Sequence, residues 1–252
     1  SMPGILGVLF PILAGGIVGA ALCLIPALLK AKLDASEMVS SLMLNYISLY
    51  LGLYLLNNFL RDQSFGALAS EKLPASAKLG KIISGTAVHG GLFIAVIFII
   101  LCYLLVFKTS LGYRIRVYGQ NPVFAKYTGM KVGGIIVISQ ILGGMTAGIG
   151  GSVELLGMYE RFQWTSLPGY GWDGVILAIL ARNKPQYVPL AAIFLSYLRV
   201  GASSMASNTD VPKELITVIQ SVMIMLITAE ALLKGLKQKN IIKEALANET
   251  AS

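Results

Sequence analysis

Long apolar runs alternate with short polar islands along this chain, and the runs are far longer than the islands. The first, Ile5 to Leu29, is apolar throughout and long enough to cross a hydrocarbon core of roughly 30 Å as a helix. Comparable runs follow at Met38–Leu60, Gly90–Phe107, Val132–Gly157 and Leu215–Leu233. Two shorter ones, Val175–Ala181 and Tyr187–Val200, lie between the last two. The seven residues of Val175–Ala181 would cover only about 10 Å as a helix. The pattern predicts about seven membrane segments. The short pair, preceded by a stretch rich in aromatics and breakers at 159–171, is expected to be broken or re-entrant helices lining a pathway. Two tilted ordinary helices are the plainer alternative.

The runs differ in kind. Gly15, Gly16, Gly19, Ala20 and Ala21 give the first a small-residue face, and Gly143, Gly144, Gly148, Gly150 and Gly151 do the same for the fourth. Such faces let helix backbones approach closely. These two stretches, 15–29 and 143–157, also resemble each other as a faint internal repeat. Pro11 and Pro26 are expected to kink the first run. The second run carries Asn45, Tyr46, Ser48, Tyr50 and Tyr54, polar groups that at membrane depth must face protein or water. The third is nearly pure hydrocarbon and is expected to face lipid. The longest loop, Arg61–His89, is mixed in charge.

Composition agrees with the pattern. The 252 residues are 56% hydrophobic and only 13% charged, and mean hydropathy is +0.74, against about a quarter charged in a soluble domain. The class is an all-α polytopic membrane protein. The net charge of +8 invites nucleic acid as a partner. Its distribution argues against that, because the cations sit between spans. Cys23 and Cys102 lie in apolar runs without paired cysteines or nearby histidines, so buried thiols are expected and a metal site is not.

One polar island is distinctive. Lys108 to Lys131 carries five cations, Lys108, Arg114, Arg116, Lys126 and Lys131, and no acid. Within it Asn121 is a helix cap, Pro122 suits the first helical position, and Gly129 suits a left-handed stop. The spacing predicts a short helix over Pro122–Thr128, with Val123–Thr128 as its body. A helix so short is marginal alone, so it needs a surface to hold it. The alternative is an ordinary basic loop.

The string GYRIRVYGQNPVFAKYTGM (112–130) resembles the cytoplasmic coupling-helix loop of ABC importer permeases of the branched-chain amino acid/ribose/nucleoside class. Three further blocks match in order: LLKAKLDASEMVSSLMLNYISLYL (28–51), GYGWDGVILAILARNKP (169–185) and ELITVIQSVMIMLITAEALLK (214–234). The wording MLNYI is most like the simple-sugar and nucleoside branch. The resemblance covers about residues 15–237 and implies one transmembrane permease domain over 1–252, part of a ten-segment fold, with 108–131 its cytoplasmic coupling loop. Members of this class usually open with further membrane segments, and Ser1 precedes Met2. The chain is therefore expected to be a fragment or a short version.

For function the resemblance implies the transmembrane subunit of an ATP-driven importer for a small polar solute, a nucleoside or simple sugar. Its partners would be a second permease subunit, identical or homologous, two cytoplasmic ATPase subunits, an external solute-binding lipoprotein and the lipid bilayer of the bacterial inner membrane. Gly112, Arg114, Arg116, Gly119, Asn121, Pro122, Val123, Phe124, Ala125, Tyr127 and Gly129 would couple it to the ATPase. Val123, Phe124 and Tyr127 share a helix face. With the coupling loop inside, thirteen Lys and Arg fall in inner loops and seven in outer ones, which obeys the positive-inside rule.

No nucleophile–base pair, phosphate-binding lysine loop or metal cluster is legible, so neither enzyme activity nor a cofactor is expected. GGMTAGIGG (143–151) is glycine-rich, but no Lys-Ser/Thr follows it. His89, the sole histidine, stands at a membrane entry point and is expected to be structural. The candidates for a solute pathway are Asn45, Tyr46, Glu154, Tyr170 and Asp173. Asp173 would cap a short helix beginning near Gly174 after a turn at Gly169–Gly171; the family motif GYGxDG implies a place near the pathway, and solute contact stays open. Glu154 either reaches the interface or lines a cavity. Asn45 either joins helices or meets solute. Glu230 is expected to be interfacial. An ion-coupled secondary transporter using Asp173, Glu154 and Glu230 is the main alternative; a membrane-embedded enzyme would need paired acids or a His/Asp set that the sequence does not offer.

Overall fold

The structure, a computed structural model, describes residues 4–208 except Ser84, together with the single positions 218, 221, 222 and 225. Among the described residues it is built of helices, with two isolated β-bridges and no strand. The chain divides into two compact units, residues 1–168 and 169–252.

The first unit holds six helices: α1 (Gly4–Leu33), α2 (Glu37–Leu55), α3 (Gly91–Lys108), α4 (Ser110–Gln120), α5 (Pro122–Tyr127) and α6 (Val132–Met158). A π-helical turn, Leu56–Leu60, continues α2. Among the described residues four helices are long and apolar enough to cross a membrane: 6–33, 37–60, 91–108 and 132–158. They coincide with the four long runs of the first 160 residues, and the protein is an all-α polytopic membrane protein. The fifth long run, Leu215–Leu233, lies outside the described residues, as does Glu230. α1 continues through both Pro11 and Pro26, so the expected kinks do not end the helix. α3 leaves Phe93, Ile97, Ile100 and Leu101 exposed along its length, as a lipid-facing helix must.

Close approach of α1 and α6 organises this unit. A Cβ on Gly19 would strike the Gly144 carbonyl, one on Gly148 would strike the Gly15 carbonyl, and one on Gly144 would press on Cys23. Facing residues run oppositely, from Gly15 against Gly148 to Ala31 against Gly133, so the helices are antiparallel. Glycine is required at these positions because any side chain would hold the backbones apart. Only part of the expected α6 face is used: Gly143, Gly150 and Gly151 look onto open space. The two stretches that resemble each other in sequence are therefore the two that pack together.

The loop after α2 closes one end of these helices. Its Leu73, Ala77 and Leu79 join Ile12, Ile149, Val153 and Leu156 in an apolar cluster. Backbone bonds fasten it to the residues at and beyond the end of α6: Leu79 N–H to Leu156 O at 3.0 Å, Leu73 N–H to Glu160 O at 2.9 Å and Ser70 N–H to Phe162 O at 3.0 Å. His89 does structural work there. Its Nδ1 accepts the Gly91 N–H at the start of α3 at 3.1 Å, and its ring fills the space a Gly157 side chain would take.

The second unit contains α7 (Tyr170–Leu180) and α8 (Val188–Asn208), joined by a left-handed turn at Arg182 and Asn183 and a short 3-10 turn, Pro185–Tyr187. Both helices exceed their apolar cores. α8 has 21 residues, about 31 Å, but is not among the four apolar spans, so the Tyr187–Val200 run is a short apolar stretch within a longer helix.

Candidate functional site

The island between α3 and α6 folds as two helices rather than one. Thr109 caps α4, accepting the Gly112 N–H at 3.0 Å, and donates its own hydroxyl to Leu105 O at 2.6 Å. Gly112 lies so close to the Leu105 and Val106 backbone that a Cβ could not fit. The corner between α3 and α4 thus depends on this glycine. Sequence reasoning placed Gly112 at the site but missed α4; the signal was Thr109 as an N-cap ahead of Leu111 and Ile115, four apart.

α5 has the ends its residues specify. Asn121 Oδ1 accepts the Phe124 N–H at 3.0 Å, and Pro122 takes the first position. At the other end Met130 N–H reaches Ala125 O at 3.1 Å while Gly129 adopts φ +76°. This is a glycine stop that a residue with a Cβ would strain. The helix spans Pro122–Tyr127, starting where expected and ending one residue earlier, with Thr128 as its C-cap.

The faces of α5 differ sharply. Ala125 is fully buried, whereas Val123 is 62%, Phe124 53% and Tyr127 88% exposed. One small residue seats the helix and three large apolar ones look outward. Arg114 and Gly119 are also exposed. Arg116 is half-buried, its guanidinium 4.9 Å from the centre of the Phe107 ring. Its Nε is buried without a hydrogen-bond partner, so stacking on Phe107 is what the ring offers it.

The pathway candidates fall in both units, Asn45, Tyr46 and Glu154 in the first and Tyr170 and Asp173 in the second. Asn45 and Tyr46 are exposed on α2, a helix with no buried residue between Glu37 and Leu55. Glu154 is half-buried near the C-terminal end of α6. No hydrogen bond or ion pair among the described residues joins Asn45 or Tyr46 to Glu154. Tyr170 is exposed and opens α7 in the second unit.

Asp173 does not cap a helix at Gly174. α7 begins four residues earlier, at Tyr170, behind Gly169 with φ +81°, and no side chain caps it. Asp173 stands in the first turn, where a carboxylate suits the helix dipole. It accepts two bonds from the Arg199 guanidinium of α8, at 2.6 and 2.5 Å. The sequence signal for a cap was real chemistry in the wrong register: Gly169 supplies the sharp entry, which leaves the carboxylate free to pair across to α8.

The family model described as branched-chain amino acid transport system / permease component matches residues 2–228. The glucose ABC transporter permease protein TsgB13 of Haloferax volcanii is 35% identical over 243 residues, 91% of this chain and 63% of that protein. The guanosine ABC transporter permease protein NupP of Bacillus subtilis is 30% identical, over 86% of this chain and 62% of its own length. The nucleoside ABC transporter permease protein NupB of Lactococcus lactis is 28% identical, over 94% and 68%. The chain thus spans a little under two thirds of the first two of these relatives. No solved structure matches it with significance.

Proposed function

The chain belongs to the branched-chain amino acid transport system permease component family, and on that premise we propose that it is the transmembrane subunit of an ATP-driven importer of a small polar solute. The names of the relatives, a glucose permease and nucleoside permeases, favour a simple sugar or a nucleoside. Two permease subunits, identical or homologous, form the pathway. Two cytoplasmic ATPase subunits drive it, and an external lipoprotein delivers solute. The setting is the bacterial inner membrane, with 1–252 acting as one permease domain and no nucleic acid involved. The chain acts as a transport subunit without an ATPase site or cofactor of its own.

The observation that carries this reading is the outward face of α5. A six-residue helix is fixed at both ends, seated by Ala125, and presents Val123, Phe124 and Tyr127 to its surroundings. Exposed aromatics on a rigid mount are what a docking surface requires. ATP-driven closure of the partner would push on α5, and Gly112 holds α4 tightly to α3 so that the push reaches the spans. The coupling is mechanical, so it asks for no catalytic side chain.

The ion-coupled alternative is weakened where Asp173 is concerned, because both its carboxylate oxygens are engaged by Arg199. The test is solute uptake into vesicles holding the assembled transporter. Uptake of guanosine or glucose is expected to stop when ATP is withheld and to persist when ion gradients are collapsed. Uptake that follows the gradient and ignores ATP would sink the proposal.

A further inference from the structure

A cleft of about 710 Å³ opens between α4 and the start of α6. Leu111 and Ile115 of α4 and Ile138 of α6 line it, together with Arg114, Lys131 and Ser110. Both cations are exposed, and neither side chain has a hydrogen-bond or ion-pair partner among the described residues. No carboxylate lines the cleft. This sets it apart from the larger cleft on the other side of α5, where Lys30 is already paired with Asp34.

Position supplies the rest. Ser110 is two residues beyond the end of α3, and Lys131 immediately precedes α6. The cations therefore lie at the level where two spans leave the hydrocarbon. Ile138 is six residues beyond Val132, the first residue of α6, roughly 9 Å along the helix. Ile138 thus carries the apolar lining along a span, away from the polar, positive mouth. Free phosphate would satisfy the mouth and leave the wall wet. An acidic peptide would have no use for a wall that descends into the bilayer. A phospholipid has both halves.

We propose that the cleft between α4 and α6 binds an anionic phospholipid of the leaflet on the coupling-loop side, its phosphate between Arg114 and Lys131 and an acyl chain along Leu111, Ile115 and Ile138. Basic residues near a membrane surface attract anionic lipid at about 1 kcal/mol each. Two of them therefore favour an anionic headgroup by at least about tenfold. Such a lipid would brace α4, the helix that links α3 to α5. The proposal is independent of which solute is carried.

The test is lipid retention by the full chain purified in detergent, read by native mass spectrometry. Phosphatidylglycerol and phosphatidylcholine with the same acyl chains are the probes. Phosphatidylglycerol is expected to be retained at least about tenfold better. The preference should fall close to parity in Arg114→Gln/Lys131→Gln. It should survive in Arg114→Lys/Lys131→Arg and in Lys72→Gln/Lys81→Gln, whose changes lie in the loop at the opposite end. Equal retention of the two lipids by the unaltered chain would overturn the proposal, and needs no variant to fold. So would an equal loss in the opposite-end variant, or preferential retention of poly-glutamate.

Discussion

Asp62 and Arg161 lie ninety-nine residues apart and meet as an ion pair, with 17% and 14% of their side chains exposed. The pair ties the loop after α2 to the segment after α6. Arg161 also donates to Ser70 O at 3.2 Å and stacks 4.6 Å from the Phe65 ring centre. Hydrogen bonds from the Ser64 hydroxyl, the Arg161 guanidinium and the Ser64 N–H lower the Asp62 carboxyl from 3.8 to about 2. The folded carboxylate thus holds its charge to lower pH than a free one. Its contribution is whole above about pH 4 and is lost as pH falls through about 2. Trp164 reports on this corner, since its ring is 5.6 Å from that of Phe162. In a Trp172→Phe background, Trp164 emission is expected to stay constant from neutral pH down to about 4 and to shift below it. Asp62→Asn should remove that acid step. A transition centred near neutral pH would show that another group controls the corner.

The glycine contact between α1 and α6 makes a second expectation specific to position. Gly144→Leu forces a side chain against Gly19 and Cys23, and overpacking of this kind costs about 1–3 kcal/mol. Gly143→Ala and Gly151→Ala point into open space and should be neutral or slightly stabilising, since alanine favours helix. Thermal stability in detergent, followed by monodisperse elution after heating, separates the two classes. Equal tolerance of Gly144→Leu and Gly143→Ala would mean that α1 and α6 are not in backbone contact.

The Asp173–Arg199 pair lends itself to a charge swap. Asp173→Asn alone leaves Arg199 without its bidentate partner, and transport is expected to drop. If the carboxylate serves to join α7 to α8, Asp173→Arg/Arg199→Asp should restore much of the loss. Direct solute contact by Asp173 would leave the swapped protein as inactive as the single variant, with uptake as the readout.

What was legible beforehand follows from how local each signal is. The four long spans and the α5 caps were readable because run length, Asn121, Pro122 and Gly129 act through neighbours in sequence. The helix α4 was missed because its cap, Thr109, sits at the end of an apolar run and its polar face hides the periodicity. The roles of Asp173 and Arg161 were not readable, since their partners are 26 and 99 residues away and only packing brings them together. Likewise the sequence showed two glycine-rich faces but not that Gly144 and Gly148, rather than Gly143, meet α1. That choice depends on the rotation of one helix against the other.

The outward face of α5 carries the last expectation. Phe124 is one of the three large apolar residues that α5 exposes, and the fully buried Ala125, not Phe124, seats the helix. Phe124→Ala should therefore leave folding intact and weaken ATPase docking by about 2 kcal/mol or more, roughly thirtyfold. Gly129→Val acts differently. It forces a β-branched residue to φ +76°, which unsettles the end of α5 and the entry to α6 rather than the docking face. Co-purification with the ATPase should fall for both, whereas thermal stability should fall only for Gly129→Val. ATP-driven uptake should be lost in step with co-purification. If Phe124→Ala binds the ATPase and transports as the unaltered protein does, α5 is a basic connector and the force enters the permease elsewhere.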